Sequence, residues 1–120
     1  MTKKEFLTYI QTQKIESKYV SAVEKRYATS FPNLIKRIIS CANESLFFDD
    51  EWRVLSVEEI IDAPEDLHVD FIALNILPLI DTDNNDFIVY HSMDACWSKF
   101  NIVDECFFQY CKHFEEYFEI

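Results

Sequence analysis

Ile76-Leu77-Pro78-Leu79-Ile80, Asp81-Thr82-Asp83-Asn84-Asn85-Asp86, Phe87-Ile88-Val89-Tyr90: this stretch decides the fold. The first five residues close a mostly apolar run over 71–80 that reads as a strand. Pro78 lacks an N–H, so that strand needs an edge position or a bulge. The middle six residues are polar and turn-forming. The last four are strongly β-prone. Two strand signals around a polar turn predict a β-hairpin. Cys96 to Phe100 extends it with a third strand.

Upstream the periodicity changes. Glu51 to Leu55 reads as a short strand with Trp52 and Val54 on one side. Ser56-Val57-Glu58-Glu59 has the spacing of a capping box and opens a helix through Ile61, which Pro64 ends. Three helices precede these elements. Thr2-Lys3-Lys4-Glu5 is a second capping box, followed by Phe6, Leu7 and Ile10. Residues 17–28 place Tyr19, Val20, Val23 and Tyr27 on one face. Phe31-Pro32 breaks the chain, and Leu34, Ile35, Ile38, Ile39 and Ala42 then recur at i, i+3, i+4 up to an end near Asn43-Glu44-Ser45. Downstream, Val103, Cys106, Phe107, Tyr110, Cys111, Phe114, Tyr117 and Phe118 form one stripe of an amphipathic helix over 103–118, with Phe108 off the stripe. Helices, then strands, then a helix predict one α+β domain over residues 1–120, with an antiparallel sheet.

The composition excludes several functions. The chain has no glycine. A P-loop, a dinucleotide fingerprint and a nucleophile elbow each require it. Asn and Asp are therefore expected wherever a turn needs positive φ. Residues 1–48 hold eight Lys/Arg and four Asp/Glu, residues 49–120 three and eighteen, and the net charge is −11. Direct nucleic-acid binding rests on basic residues and is not expected. The acidic half favours a basic protein partner. There is no apolar leader at the start and no membrane-length apolar run, so a cytoplasmic protein is expected. In that compartment Cys41, Cys96, Cys106 and Cys111 are free thiols.

No constellation of residues demands chemistry. Asp81, Asp83 and Asn85 alternate as in a calcium loop, but Asp86 and Ser92 stand where an EF-hand has Gly and Glu. Cys106 and Cys111, with His113 nearby, lack the paired spacing of a zinc site and read as core residues of the last helix. His68, His91 and His113 are scattered. The expectation is a protein with no cofactor, no metal and no catalytic activity.

Val20-Ser21-Ala22-Val23-Glu24, Phe31-Pro32, Ile38-Ile39 and Cys41-Ala42-Asn43, then Val54-Leu55-Ser56-Val57-Glu58-Glu59-Ile60, and finally the 76–90 hairpin resemble in order and spacing the SUKH superfamily. That group joins bacterial immunity proteins of polymorphic toxin systems to fungal cell-wall regulators. The resemblance covers about residues 17–118. It departs where relatives carry glycine: this chain has Asn43-Glu44-Ser45 and Asn84-Asn85. It implies an immunity protein that binds and neutralises a cognate toxin, often a nuclease. An intracellular adaptor of the same fold, with no toxin partner, is the alternative. Binding residues concentrate in loops. The acidic loops Asp49, Asp50, Glu51 and Asp81, Asp83, Asp86 are therefore the expected contact surface for a basic toxin domain.

Overall fold

The computed structural model describes residues 1–41, 46–49 and 51–118. Ala42, Asn43-Glu44-Ser45 and Asp50, which carried expectations above, lie outside the described residues. The elements run α1 (Lys3–Gln11), α2 (Ser17–Tyr27), α3 (Asn33–Ser40), β1 (Leu46–Phe48), β2 (Trp52–Val54), α4 (Val57–Asp66), β3 (Ile76–Asp81), β4 (Asp86–His91), β5 (Cys96–Asn101) and β6 (Cys106–Cys111). A 3₁₀ helix, Phe114–Phe118, follows β6. The six strands among the described residues form one antiparallel sheet in sequence order, so the fold class is α+β. No helix among the described residues is long and apolar enough to cross a membrane.

Both capping boxes form: Thr2 with Glu5 opens α1 and Ser56 with Glu59 opens α4. Each satisfies two amide donors that the first helical turn leaves without partners. The hairpin of β3 and β4 forms around residues 82–85, and its register shifts between Pro78 and Ile80. That bulge is how the sheet accommodates a residue with no amide proton. The strand begins at Ile76 and not at Phe71. Asp70 is the cause: its backbone O accepts from Leu74 N and its Oδ1 from Ala73 N, winding residues 71–75 into a turn.

Helix α4 does not stop before Pro64; it runs to Asp66. A proline inside a helix removes the hydrogen bond to the carbonyl four residues back, here that of Ile60. The buried Tyr27 hydroxyl donates to that Ile60 carbonyl at 2.7 Å. Next to it, Arg26 Nε donates to the Ile61 carbonyl at 3.0 Å and Arg26 Nη2 to Glu65 at 2.6 Å. Tyr27 thus supplies the donor that the proline removes, and Arg26 beside it ties the same turn of α4 to the end of α2.

The helix expected over 103–118 is absent. Asn101 Oδ1 accepts from the amides of Val103 and Asp104, and Glu105 adopts φ 50°, so the chain reverses. Cys106 then pairs with Asn101, Phe107 with Phe100 and Phe108 with Lys99. Phe, Tyr and Cys are poor helix formers and good strand formers, and the neighbouring strand β5 settles the contest. Val103 and Tyr110, expected inside, are 70% and 60% exposed. Cys106 is exposed and Cys111 half-buried, so neither is the core residue its helical placement implied. Phe114 and Phe118 are buried, from the 3₁₀ helix. Strand β6 carries its own bulge: Trp97 pairs with Cys111 and Lys99 with Phe108, so two residues face Ser98. Gln109, within that bulge, has φ 51°, and its carbonyl accepts from the Tyr117 hydroxyl at 2.8 Å.

Ten described residues have positive φ. Asp49, Asn75, Asp83, Asn84 and Asn85 follow the expectation for a chain without glycine. Ala28, His68, Ala95, Glu105 and Gln109 do not, and bear the steric cost of a Cβ in that region.

The aromatic residues form two strings of neighbouring rings. One runs Phe31, Tyr90, Trp97, Phe114, Phe118 and on to Phe6, Phe48 and Trp52. The other runs Phe71, Phe100, Phe107, His91 and Tyr110. Neighbours such as Tyr90 and His91 point to opposite faces of a strand, so the strings hold the sheet from both sides.

Candidate functional site

The meander topology settles where the acidic loops go. Arg53 pairs with Asp81, and Asp86 with Asn101. The turns β1–β2, β3–β4 and β5–β6 therefore lie at the same end of the sheet. Their described carboxylates are Asp49, Glu51, Asp81, Asp83, Asp86, Asp104 and Glu105. The Ile102 amide donates to the Asn85 carbonyl at 3.0 Å and ties the last two turns together.

These carboxylates divide by role. Asp49 pairs with Lys3 at 3.4 Å while its amide donates to the Met1 carbonyl, anchoring the β1–β2 turn to α1. Asp81 lies 3.5 Å from Arg53 Nη2 and accepts from the Asp83 amide at 2.9 Å, which shapes the β3–β4 turn. Asp86 accepts from Asn101 Nδ2 at 2.8 Å and links β4 to β5. It also sits near Lys99, whose ammonium burial pulls below the ordinary lysine value while the Asp86 charge opposes that shift. Glu51, Asp83, Asp104 and Glu105 are exposed, with no ion pair among the described residues. Of the predicted site residues, Asp49, Asp81 and Asp86 thus build the turns, and Glu51 and Asp83 face solvent. Asp104 and Glu105 were not among them, because the sequence reads them as the polar face at the start of a helix over 103–118 and not as a turn between strands.

Beside the β3–β4 turn lies a cleft of about 500 Å³. Leu55, Ala63, Leu67, Phe87 and Ile102 give it apolar walls, and Arg53, Glu59, Asp66, Asp81 and Asp83 a charged lining. Arg53 Nη1 donates to both Glu59 oxygens, at 2.6 and 2.7 Å. The same Glu59 closes the capping box of α4 through the Ser56 amide. One carboxylate therefore fixes both the start of the helix and the cleft's internal cation.

Among the described residues no group of three or more His, Cys, Asp or Glu side chains is arranged to hold a metal ion. Burial pushes the Cys41 thiol up to about 12, and raises those of Cys96 and Cys111. A raised value disfavours the thiolate, the form that acts as nucleophile or metal ligand. Burial lowers His91 below its ordinary value, with Asp94 opposing, and its Nε2 shares a 2.8 Å hydrogen bond with the buried Ser98 hydroxyl. Compared with models of protein families, with curated proteins and with solved structures, the chain gives no match in any of the three.

Proposed function

We propose that this chain is a protein-binding module of the SUKH type, an immunity protein that occupies the basic face of a cognate toxin domain and acts by covering it. The observation that supports the reading is the convergence of three acidic turns at one end of the sheet. A surface of one sign speeds encounter with an oppositely charged partner and sets their orientation. Nuclease domains present such basic faces, because they bind phosphate backbones. Glu51, Asp83, Asp104 and Glu105 are the outward charges of this surface; Asp49, Asp81 and Asp86 hold its turns in shape.

The test is affinity capture from the native cell extract at low and high salt, with partners identified by mass spectrometry. One basic partner with a toxin domain is expected. Its association should slow with salt and with the charge reversals Glu51→Lys and Asp83→Lys. Several unrelated housekeeping partners would favour the adaptor reading. Association kinetics unchanged by salt and by both reversals would remove the acidic end from the interface.

A further inference from the structure

We infer that the cleft beside the β3–β4 turn seats one arginine side chain of the basic partner, an assignment that rests on the binding role proposed for the acidic end and deepens it. Part of its lining is apolar and well buried: Leu55 is 2% and Phe87 5% exposed, and Ala63, Leu67 and Ile102 add to it. Such a slot takes the aliphatic stem of a long cationic side chain while the charged head stays at the mouth. Two exposed carboxylates also line it: Asp66, from the last turn of α4, and Asp83, from the β3–β4 turn. Neither carboxylate has an ion pair among the described residues, whereas Glu59 and Asp81 are engaged by Arg53.

The helix adds a second, independent argument. The C-terminal end of α4 carries the negative pole of its dipole, where cations are favoured and carboxylates are not. Its last turn nevertheless contains Glu65 and Asp66 and no basic residue. Arg26 answers Glu65 at 2.6 Å. Asp66 has no such answer, so an incoming cation there relieves both its charge and the pole. A guanidinium suits the place better than an ammonium. It is planar and weakly hydrated, and it can bridge two carboxylates while lying against apolar walls.

The experiment is a titration of the isotope-labelled protein with N-acetyl-L-arginine amide, and separately with the lysine counterpart, followed by amide NMR shifts at low salt. Arginine should give saturable shifts confined to Leu55, Ala63 to Leu67, Asp83 to Phe87 and Ile102. The exposed pair Asp66→Asn with Asp83→Asn should weaken binding about tenfold, as expected for losing two partly exposed charge contacts, with the rest of the spectrum unmoved. Unsaturable shifts spread over the acidic surface, equal binding of the lysine probe, or an unchanged affinity in the double variant would each overturn the assignment. The partner supplies a further arm. If its capture survives the two Asn substitutions but is lost on Asp104→Lys with Glu105→Lys, the arginine seat is wrong and the acidic end stands. If it survives both pairs, both readings fall.

Discussion

Replacing Tyr27 by Phe removes one hydroxyl, and the structure says what that hydroxyl does. It donates at 2.7 Å to the Ile60 carbonyl, whose helical partner would have been the amide of residue 64, a proline. Tyr27 is 7% exposed, and burial raises its phenol, so it stays protonated and remains a donor at any working pH. Leaving that carbonyl without a donor should cost about 1–3 kcal/mol, the usual penalty for an unpaired buried polar group. For a domain of this size that lowers Tm by roughly 3–10 °C. The informative background is Pro64→Ala, which restores the amide at position 64. There the Ile60 carbonyl recovers its helical partner, and Tyr27→Phe should cost no more than about 0.5 kcal/mol. Urea titrations of the four proteins of this cycle measure the coupling. An equal loss in both backgrounds would refute the idea that Tyr27 compensates for the proline.

Three further outcomes are expected. Ala28→Gly and Ala95→Gly replace residues held at φ 54° and 52°, so each should raise stability by about 0.5 kcal/mol, the relief of a left-handed Cβ less the added freedom of the unfolded chain; a lower Tm for either would contradict this. At pH 8 Ellman's reagent should react quickly with exposed Cys106 and slowly with Cys41, whose thiol burial pushes up to about 12; the fast phase should vanish in Cys106→Ser, and a fast phase retained there but lost in Cys41→Ser would reverse the assignment. Burial depresses His91 in the folded state, so folding favours its neutral form: its contribution is fully present above the ordinary value of 6.5 and is lost as pH falls through 6.5 toward the depressed value. Thermal melts at pH 7.5 and 5.5 should therefore differ less for His91→Gln than for the wild type, and an equal difference would show that His91 does not carry it.

The helical half of the fold was legible because its signals are local. Thr2 with Glu5 and Ser56 with Glu59 are three residues apart, and the α3 stripe repeats within two turns. The hairpin was legible for the same reason, and of the two places that suit Pro78, a sheet edge or a bulge, the fold uses the bulge. What failed was decided across the chain. Nothing near Pro64 announces that Tyr27 and Arg26, more than thirty residues away, will receive its helix. Cys106 to Cys111 has both a helical stripe and strand-forming composition, and only its pairing with β5 decides between them. The same error hid part of the candidate site. Asp49 and Asp83 could be read as loop residues from the sequence and Glu51 as the residue where the next strand begins, whereas Asp104 and Glu105 join them only once residues 102–105 are a turn. The cleft was out of reach for the same reason: Leu55, Asp66, Phe87 and Ile102 meet only in the folded sheet.

Strand β6 ends the sheet, and a terminal strand rich in Phe and Tyr is a template on which another chain can extend. Two details make that edge irregular. The left-handed backbone at Gln109 bends the strand midway, so no straight run of six residues faces outward. The Tyr117 hydroxyl, from the 3₁₀ helix, donates to the Gln109 carbonyl within that bulge. The 3₁₀ helix that follows β6 thus pins the irregular middle of this edge, while β1 forms the other edge of the sheet.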